Sequence, residues 1–182
     1  MVWEITAEEL LERYADGERN FAGIKLAHYG LYGFRRSKHS GLDLDGVVLR
    51  DINLRGAYLH DVYLIGADLT GSDLGGIFLD SCTLVRAIIR DANLCAATLC
   101  GSTFGDADLR GSNLNYMNAS IAIFRQAQIG SFERAILAQT DFQGAHIDSG
   151  IICRGWNLIW NTTMPDGQVV RGPQWGNGRD AR

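Results

Sequence analysis

Large apolar residues recur at every fifth position through the middle of this chain. The series is Leu44, Leu49, Leu54, Leu59, Leu64, Leu69, Leu74, Leu79, Leu84, Ile89, Leu94, Leu99, Phe104, Leu109 and Leu114. An amphipathic helix repeats every 3.6 residues and a strand every 2, so neither explains a strict repeat of five. Fixed self-similarity of this kind predicts a solenoid, in which short segments stack on one another.

Two further positions follow the same period. Two residues before each central residue the side chain is usually small, as at Ala57, Ala67, Ser72, Cys82, Ala87, Ala92, Ala97, Ser102, Ala107 and Ser112. In an extended segment residues two apart point to the same face, so a large and a small side chain both face inward. Two residues after the central one glycine is frequent, at Gly46, Gly56, Gly66, Gly71, Gly76, Gly101 and Gly111. Glycine permits the bend that ends each segment.

These runs resemble a known repeat. Ala67–Gly71, Ala92–Ala96 and Ala107–Gly111 are similar to the A-(D/N)-L-x-x unit of the pentapeptide-repeat family, and the segment 161–170 is similar to tails found on many cyanobacterial members. The resemblance covers about residues 21–152. It implies an all-β fold, a right-handed quadrilateral β-helix with four pentapeptides per coil and about six coils at the ordinary strand spacing.

A four-sided coil predicts that residues twenty apart stack in columns. Asn53, Asp73, Asn93 and Asn113 then form one column, and Arg50, Arg90 and Arg110 form another that Thr70 interrupts. Asp68 and Asp108 fall near those arginines, where charges balance on a solvated wall. Phe104 and Phe124 fall on the same side, one coil apart.

The N-terminus, residues 1–20, departs from the repeat. Thr6 and Glu9 have capping-box spacing, Leu10, Leu11 and Tyr14 form an apolar stripe, and Gly17 ends the pattern. This predicts an amphipathic helix over 5–16. A solenoid end needs covering, so we expect a helical cap, with a docking helix for a partner as the alternative.

Two irregularities interrupt the block 21–152. Residues 32–41 carry four basic side chains and predict a loop or irregular coil edge, either solvated or a small basic contact point. The period then shifts by three near 130–131. Residues 153–182 are expected to form an irregular C-terminal cap and tail, in which Trp156, Trp160, Met164, Pro165 and Trp175 cover the last coil.

Composition restricts the surroundings and partners. The net charge of −4 argues against direct nucleic-acid binding, which favours basic surfaces. No apolar run approaches the roughly 20 residues that span a bilayer, and no signal-peptide pattern begins the chain. We expect a cytoplasmic bacterial protein without membrane association, present as a monomer or an end-to-end dimer.

Chemistry-bearing motifs are scarce. The four histidines are scattered, and Ser72 stands where a phosphate-binding loop needs lysine. Cys82 is expected inside as a small hydrophobe, whereas Cys95 and Cys100 point outward on adjacent faces and, with Cys153, are expected to be reduced structural thiols; a metal or redox role is the less favoured alternative. We predict no catalytic residues, no cofactor and no metal.

One surface feature is apolar. Tyr58 and Phe78 fall at outward positions of one side, and Tyr63, Ile65 and Val85 on the next. Exposed aromatic and aliphatic neighbours suggest a protein-binding patch, unless flanking loops, the N-terminal helix or a neighbouring molecule covers them. We therefore expect a non-catalytic interaction scaffold or regulator with an unknown protein partner.

An alternative function comes from the same resemblance. Some family members resemble duplex DNA in shape and charge and inhibit or protect a type II topoisomerase (gyrase). Such mimicry needs a long rod with a dominant negative surface. Residues 42–130 hold ten Asp against six Arg, and the arginines interrupt the acidic faces.

The buried column predicts the effect of a truncation. We expect Leu74→Ala to lower the free energy of unfolding by about 2–5 kcal/mol, because the deleted side chain leaves a cavity in the core. Urea denaturation of the variant and wild type measures this difference. Unchanged stability would place Leu74 outside the core.

Overall fold

The computed structural model describes residues 3–27 and 42–175, and these form a stack of parallel coils. Its elements in chain order are β1 (Trp3–Ile5), α1 (Ala7–Ala15), β2 (Ile24–Leu26), β3 (Leu42–Asp43), β4 (Val62–Tyr63), β5 (Asp108–Asn113), β6 (Gln128–Ser131), β7 (Ile136–Ala138), α2 (Ser149–Arg154), β8 (Leu158–Trp160), β9 (Thr162–Thr163), β10 (Val169–Val170) and β11 (Gln174–Trp175). Neither described helix has the length and apolar character needed to cross a membrane.

Each coil of the central block has four sides, because parallel backbone bridges join residues twenty apart at four positions per coil. We number the faces by their bridging residues. Face 1 carries Val48, Asp68, Ile88 and Asp108; face 2 carries Asn53, Asp73, Asn93 and Asn113; face 3 carries Tyr58, Phe78, Thr98 and Asn118; face 4 carries Tyr63, Thr83, Thr103 and Ile123. The predicted twenty-residue stacking is confirmed.

The corners are β-turns that open from the central residue. The carbonyl of Leu54 accepts a hydrogen bond from the amide of Ala57 at 3.0 Å, and Leu64 and Ala67 repeat the contact at 3.1 Å. The third residue of such a turn has positive φ, and all seven glycines predicted at this position do. At Gly71 an added Cβ would also lie 2.3 Å from the Asp51 carboxylate of the preceding coil.

The frequent Asp or Asn before the central residue has a local role. The Oδ1 atom of Asn53 accepts from the amide of Arg55 at 3.0 Å, and Asp73, Asn93 and Asn113 bind the amide two residues on in the same way. This side-chain turn fixes the backbone as it enters the corner. On face 2 the amides also link coils, with Asn93 Nδ2 donating to Asp73 Oδ1 at 2.8 Å.

The inside of the stack is filled by buried side chains. All fifteen central residues of the predicted series are buried, and Phe104 stacks on Phe124 with ring centroids 4.8 Å apart, as predicted. Polar residues at the small inward position remain hydrogen-bonded: Ser72 Oγ donates to the carbonyl of Leu49 at 3.1 Å. Cys82 Sγ donates to the carbonyl of Leu59 at 2.9 Å, in the inward place predicted for it.

Face 3 contains an exchange of large and small side chains. Ala119 occupies a central position, yet it is fully buried, as is Met117 at the small inward position two residues earlier. Two inward residues on one face share the same volume, so Met117 fills the space that a central leucine fills elsewhere.

The N-terminal segment packs on the stack. The Oγ1 atom of Thr6 caps α1 by accepting from the Glu9 amide at 3.0 Å, whereas the Glu9 carboxylate pairs with Arg13 at 3.3 Å. Leu10 is buried in the core cluster, and Tyr14 donates its hydroxyl proton to the carbonyl of Arg50 at 2.9 Å. Strand β1 pairs in parallel with β2.

Coil length varies along the stack. Lys25 bridges Tyr58, 33 residues on, so this coil holds thirteen residues more than the standard twenty, all between Lys25 and Leu42. The predicted loop at 32–41 lies outside the described residues. Farther along, Leu109 pairs with Ile129, twenty residues away, but Asn113 pairs with Ser131, eighteen residues away. The chain therefore loses two residues from the coil at the position where the sequence period shifts.

The C-terminal boundary of the sequence prediction, at 152, differs from the structure. Helix α2 occupies 149–154, inside the predicted repeat, and the parallel stack then resumes because β7 pairs with β8. Two antiparallel additions follow, β10 on β9 and β11 on β8.

The side chains predicted to cover the last coil differ in exposure. Trp156, Trp160 and Trp175 are exposed, whereas Met164 is buried. The reason is positional: Ile159 takes the inward place in β8, which turns Trp160 outward, and Trp156 stands at a corner with φ of 57°.

The Met117–Ala119 exchange predicts non-additive stability changes. We expect Met117→Ala to cost about 2–5 kcal/mol through a cavity and Ala119→Leu about 1–3 kcal/mol through overpacking. The double variant should lose less than the sum, because leucine then occupies the vacated space. Urea denaturation of the four proteins measures the coupling, and additive losses would contradict shared packing.

Candidate interaction surface

The predicted apolar patch begins with two stacked rings on face 3. Tyr58 and Phe78 lie one coil apart with centroids 4.4 Å apart and ring planes 4° from parallel. Tyr58 is 42% exposed and Phe78 is half-buried. The parallel backbone bridge between the two residues holds the rings at one strand spacing.

The other three patch residues lie beyond the corner at Asp61. Tyr63 bridges Thr83 on face 4, and Ile65 and Val85 follow at equivalent positions of successive coils. All three are half-buried. The amide of Ile65 donates to Asp45 Oδ1 at 2.7 Å, which ties this segment to the preceding coil. The structure thus places the five residues on two adjacent faces of two neighbouring coils.

A second apolar surface lies at the C-terminal end of face 3 and was missed from the sequence. Its exposed large side chains are Tyr116, Ile121, Ile136, Trp156, Trp160 and Trp175. Their outward positions relative to the buried residues of each segment were the available signal. Assigning the tryptophans to a cap concealed it.

Face 1 carries a ladder of ion pairs, as the sequence predicted. Arg50 binds Asp68 with Nη2 to Oδ2 at 2.5 Å, and Asp108 binds both Arg90 at 2.5 Å and Arg110 at 2.7 Å. The arginine follows a central residue and the aspartate precedes the central residue of the next coil. The two are therefore eighteen residues apart, two fewer than a coil.

The same pairing of arginine and aspartate is kept in the shorter coil. On face 4 and the corner after it, Arg125 Nε binds Asp141 Oδ2 at 2.7 Å, and these residues are sixteen apart. This coil is two residues shorter, so the pair keeps its geometry while its spacing in sequence contracts.

These contacts lower the pKa values of Asp68 and Asp108, which favours the ionised carboxylates. Burial of Asp68 disfavours its charged form, but hydrogen bonds from Thr70 and Arg50 outweigh burial and lower its pKa. Hydrogen bonds from Arg110, and then from Arg90, hold the pKa of Asp108 well below its usual range. Neither carboxylate is therefore poised to exchange protons near neutral pH.

The thiols are separate from one another. All four cysteines are free; Cys82 is buried, Cys95 and Cys100 are half-buried and Cys153 is exposed. Burial raises the pKa of the Cys82 thiol to about 12 and also raises that of Cys100 and Cys153. Within residues 3–27 and 42–175 no group of three His, Cys, Asp or Glu side chains could hold a metal ion.

A small cavity lies inside the stack. Its volume is about 10 Å³, and leucines with one isoleucine line it. This is about the space of one water molecule, and a wholly apolar lining gives that water no partner. The cavity is a packing gap in the core and has no room for a substrate.

The pKa of Asp68 predicts a pH-dependent contribution to stability. Because its folded-state pKa lies below the ordinary value of 3.8, the carboxylate stabilises the fold above that pH. The contribution is lost as pH falls through the folded-state pKa. We expect Asp68→Asn to lose about 1–3 kcal/mol at pH 7 and progressively less below about pH 4.

Urea denaturation across this pH range measures the effect. Asp106→Asn is the matched control, since Asp106 is an exposed corner carboxylate. A constant deficit for Asp68→Asn from pH 7 to pH 2 would contradict an ionic contribution.

Comparisons with known proteins agree with this geometry. The family model for pentapeptide repeats matches eight copies, over residues 40–76, 79–115 and 87–126. A crystal structure of the pentapeptide repeat protein Rfr23 from the cyanobacterium Cyanothece 51142 is similar, with 20% identity, a TM-score of 0.54 and coverage of 78% of this chain and 96% of that chain. At this identity the likeness shows a shared fold.

Two more distant structures also match. HetL of Nostoc sp. strain PCC 7120, a pentapeptide repeat protein involved in heterocyst differentiation regulation, is 20% identical with a TM-score of 0.25, covering 91% of this chain and all of that one. QnrB1, a plasmid-mediated fluoroquinolone resistance protein, is 16% identical with a TM-score of 0.37, covering 81% and 76%. No curated protein matched the chain. The matched repeats and the four-sided stack of parallel coils together show that residues 40–126 of this chain are pentapeptide repeats.

Proposed function

We propose that this chain is a non-catalytic protein-interaction scaffold whose partner binds the patch formed by Tyr58, Tyr63, Ile65, Phe78 and Val85. The observation that supports this most is the stacked Tyr58–Phe78 pair, whose parallel rings lie on an otherwise regular wall. Aromatic side chains dominate the binding energy of many protein interfaces.

The backbone prepares this pair for binding. Bridging holds the two residues at one strand spacing, and stacking limits their rotamers before a partner arrives. Little side-chain entropy is then lost on association, which favours affinity for a given contact area. The half-buried aliphatic residues across the corner extend the apolar area onto face 4.

The rest of the described chain supports a non-catalytic role. The strongest cluster of charged groups, on face 1, is engaged in ion pairs that keep its carboxylates ionised. General acid–base work needs a group whose pKa lies near the working pH, beside a pocket that holds substrate. The core cavity is too small for that purpose.

The alternative, a DNA-mimic inhibitor or protector of a type II topoisomerase, receives less support. Mimicry requires a continuous negative surface, but Asp68, Asp73 and Asp108 each lie within 4 Å of an arginine side chain. Face 1 consequently alternates charge along the stack. A supercoiling assay with gyrase distinguishes the two functions.

We also propose the handedness, the number of coils and the end caps of the stack. We take the coil to be right-handed, as the resemblance implies, with about six coils at the ordinary strand spacing. Helix α1 serves as the N-terminal cap, because Leu10 is buried against the core. We propose a cytoplasmic monomer or end-to-end dimer, because either state leaves the side faces of the stack accessible to a partner.

Removing the ring pair should weaken partner binding. We expect Tyr58→Ser/Phe78→Ser, and likewise Tyr63→Ser, to reduce capture of a specific partner about tenfold or more, since hot-spot aromatics carry most of an interface's affinity. Affinity capture from the native organism followed by quantitative mass spectrometry measures this change.

The control tests whether any apolar surface suffices. Val48→Ser/Ile88→Ser removes two exposed aliphatic side chains from face 1 and should leave capture unchanged. If every partner of the wild type is also retained by the Tyr58, Phe78 and Tyr63 variants, the patch is not the binding surface.

A further inference from the structure

The C-terminal end of face 3 is built from three adjacent strands in the order β7, β8, β11. Ile136 pairs with Leu158 and Leu158 with Trp175, so these residues stand side by side in one column. Trp160 is the last residue of β8, the central strand of this sheet, and pairs at the backbone with Ala138. Trp175 is 60% exposed and Trp160 is 48% exposed.

A second column borders this sheet at the corner between faces 2 and 3. It contains Tyr116, Arg134 and Trp156, which occupy equivalent corner positions of successive coils with φ near 60°. Arg134 Nη1 donates to the Tyr116 hydroxyl at 3.2 Å, and its guanidinium lies 5.6 Å from the centre of the tyrosine ring. The arginine side chain is thereby held against the exposed Tyr116 ring, and Trp156 occupies the next corner of the column.

Most arginines elsewhere in the described residues, all but Arg19 and Arg86, bind a carboxylate, whereas the three at this end do not. The side chains of Arg13, Arg50, Arg55, Arg90, Arg110 and Arg125 all bind carboxylates. Arg134, Arg154 and Arg171 make no ion pair with any residue of 3–27 and 42–175. Glu133, next to Arg134, is the nearest acid in sequence, and its backbone amide donates to Asn115.

The three arginines lie at both borders of the sheet. Arg134 stands at the corner between faces 2 and 3, Arg154 ends α2 just before that corner in the next coil, and Arg171 connects β10 on face 4 with β11 on face 3. Arginine side chains without an ion-pair partner among the described residues therefore border the apolar sheet on either side. Aromatic residues and arginine are the side chains most enriched at protein interfaces.

We infer that this C-terminal aromatic surface binds an acidic peptide segment of a partner protein, one that carries apolar side chains between its carboxylates. Apolar side chains of the segment pack on Ile136, Trp160 and Trp175, and its carboxylates pair with Arg134 and Arg171. Charge complementarity selects the acidic partner, because an arginine that has no internal partner gains most from a carboxylate brought by the ligand.

A peptide suits the charges better than a nucleic acid does. Exposed tryptophans can also stack on the bases of a single-stranded nucleic acid. Binding of its phosphate backbone, however, requires many contacts with lysine or arginine side chains. This end offers three arginines, and the whole chain carries a net charge of −4. The field of the protein thus opposes a long polyanion and tolerates a short acidic segment.

Selection from a random dodecapeptide library displayed on phage, with the full chain as bait, tests the inference. We expect enriched peptides to have net negative charge and at least one Trp, Phe or Leu. Synthetic copies of them, titrated by fluorescence anisotropy, should bind Trp160→Ala/Trp175→Ala about tenfold more weakly than wild type. Arg134→Glu/Arg171→Glu should weaken binding by a similar factor at low ionic strength, because charge is reversed beside the carboxylates.

Matched controls locate the effect. Arg86→Glu reverses another corner arginine that has no ion-pair partner among the described residues, and Tyr58→Ser alters the patch of the proposed function; both variants should bind the peptides like wild type. Thermal unfolding verifies that each variant remains folded. Enrichment of neutral or basic peptides, equal binding to the tryptophan variants, or tighter binding of a single-stranded oligothymidylate would overturn the inference.

Discussion

Every coil depends on a left-handed backbone residue placed two positions after each buried central side chain. This residue closes the turn, brings the next segment onto a new side and aligns its amides with the carbonyls of the neighbouring coil. Glycine adopts the conformation without strain, but fourteen other residues within 3–27 and 42–175 adopt it too, including the β-branched Ile121. Inter-coil hydrogen bonds on both sides hold these residues in place, which is how a locally unfavourable conformation persists.

A consequence of this turn is that corner side chains point away from the core. Ile121, Trp156 and Arg134 all occupy such positions and are exposed. Core packing therefore does not restrict which side chains can occupy the corners, and both aromatic surfaces lie beside a corner.

Polar side chains inside the stack are all hydrogen-bonded. No buried side-chain nitrogen or oxygen among the described residues lacks a hydrogen-bond partner.

The strictly periodic part of the fold could be predicted from the sequence because one repeat determines every column. The stacked Phe104 and Phe124, the Asp and Asn column of face 2 and the ion pairs of face 1 all follow from twenty residues per coil. The candidate patch follows from the same arithmetic, since outward positions are fixed once the inward ones are known.

Prediction failed where the period no longer identified the inward residue. Ile152 keeps the spacing of five but lies in α2, and the buried Asn157 stands at an inward position. Asn157 accepts from the Ala135 amide and donates to the carbonyls of Ile151 and Ile152, so it joins the helix to the stack through polar contacts that apolar periodicity cannot reveal. Because periodicity does not identify that residue, the sequence prediction ends the repeat at 152 and assigns the tryptophans beyond it to a cap.

The change from twenty to eighteen residues in one coil leaves the neighbouring columns in place, and Arg125 still finds Asp141. A length change is absorbed within the coil where it occurs, because each coil is registered only against the coils next to it. Insertions and deletions at a corner therefore leave the faces of distant coils unchanged. Such a scaffold can acquire or lose a recognition surface at one level while the surfaces at other levels keep their shape, which makes the architecture evolvable piece by piece.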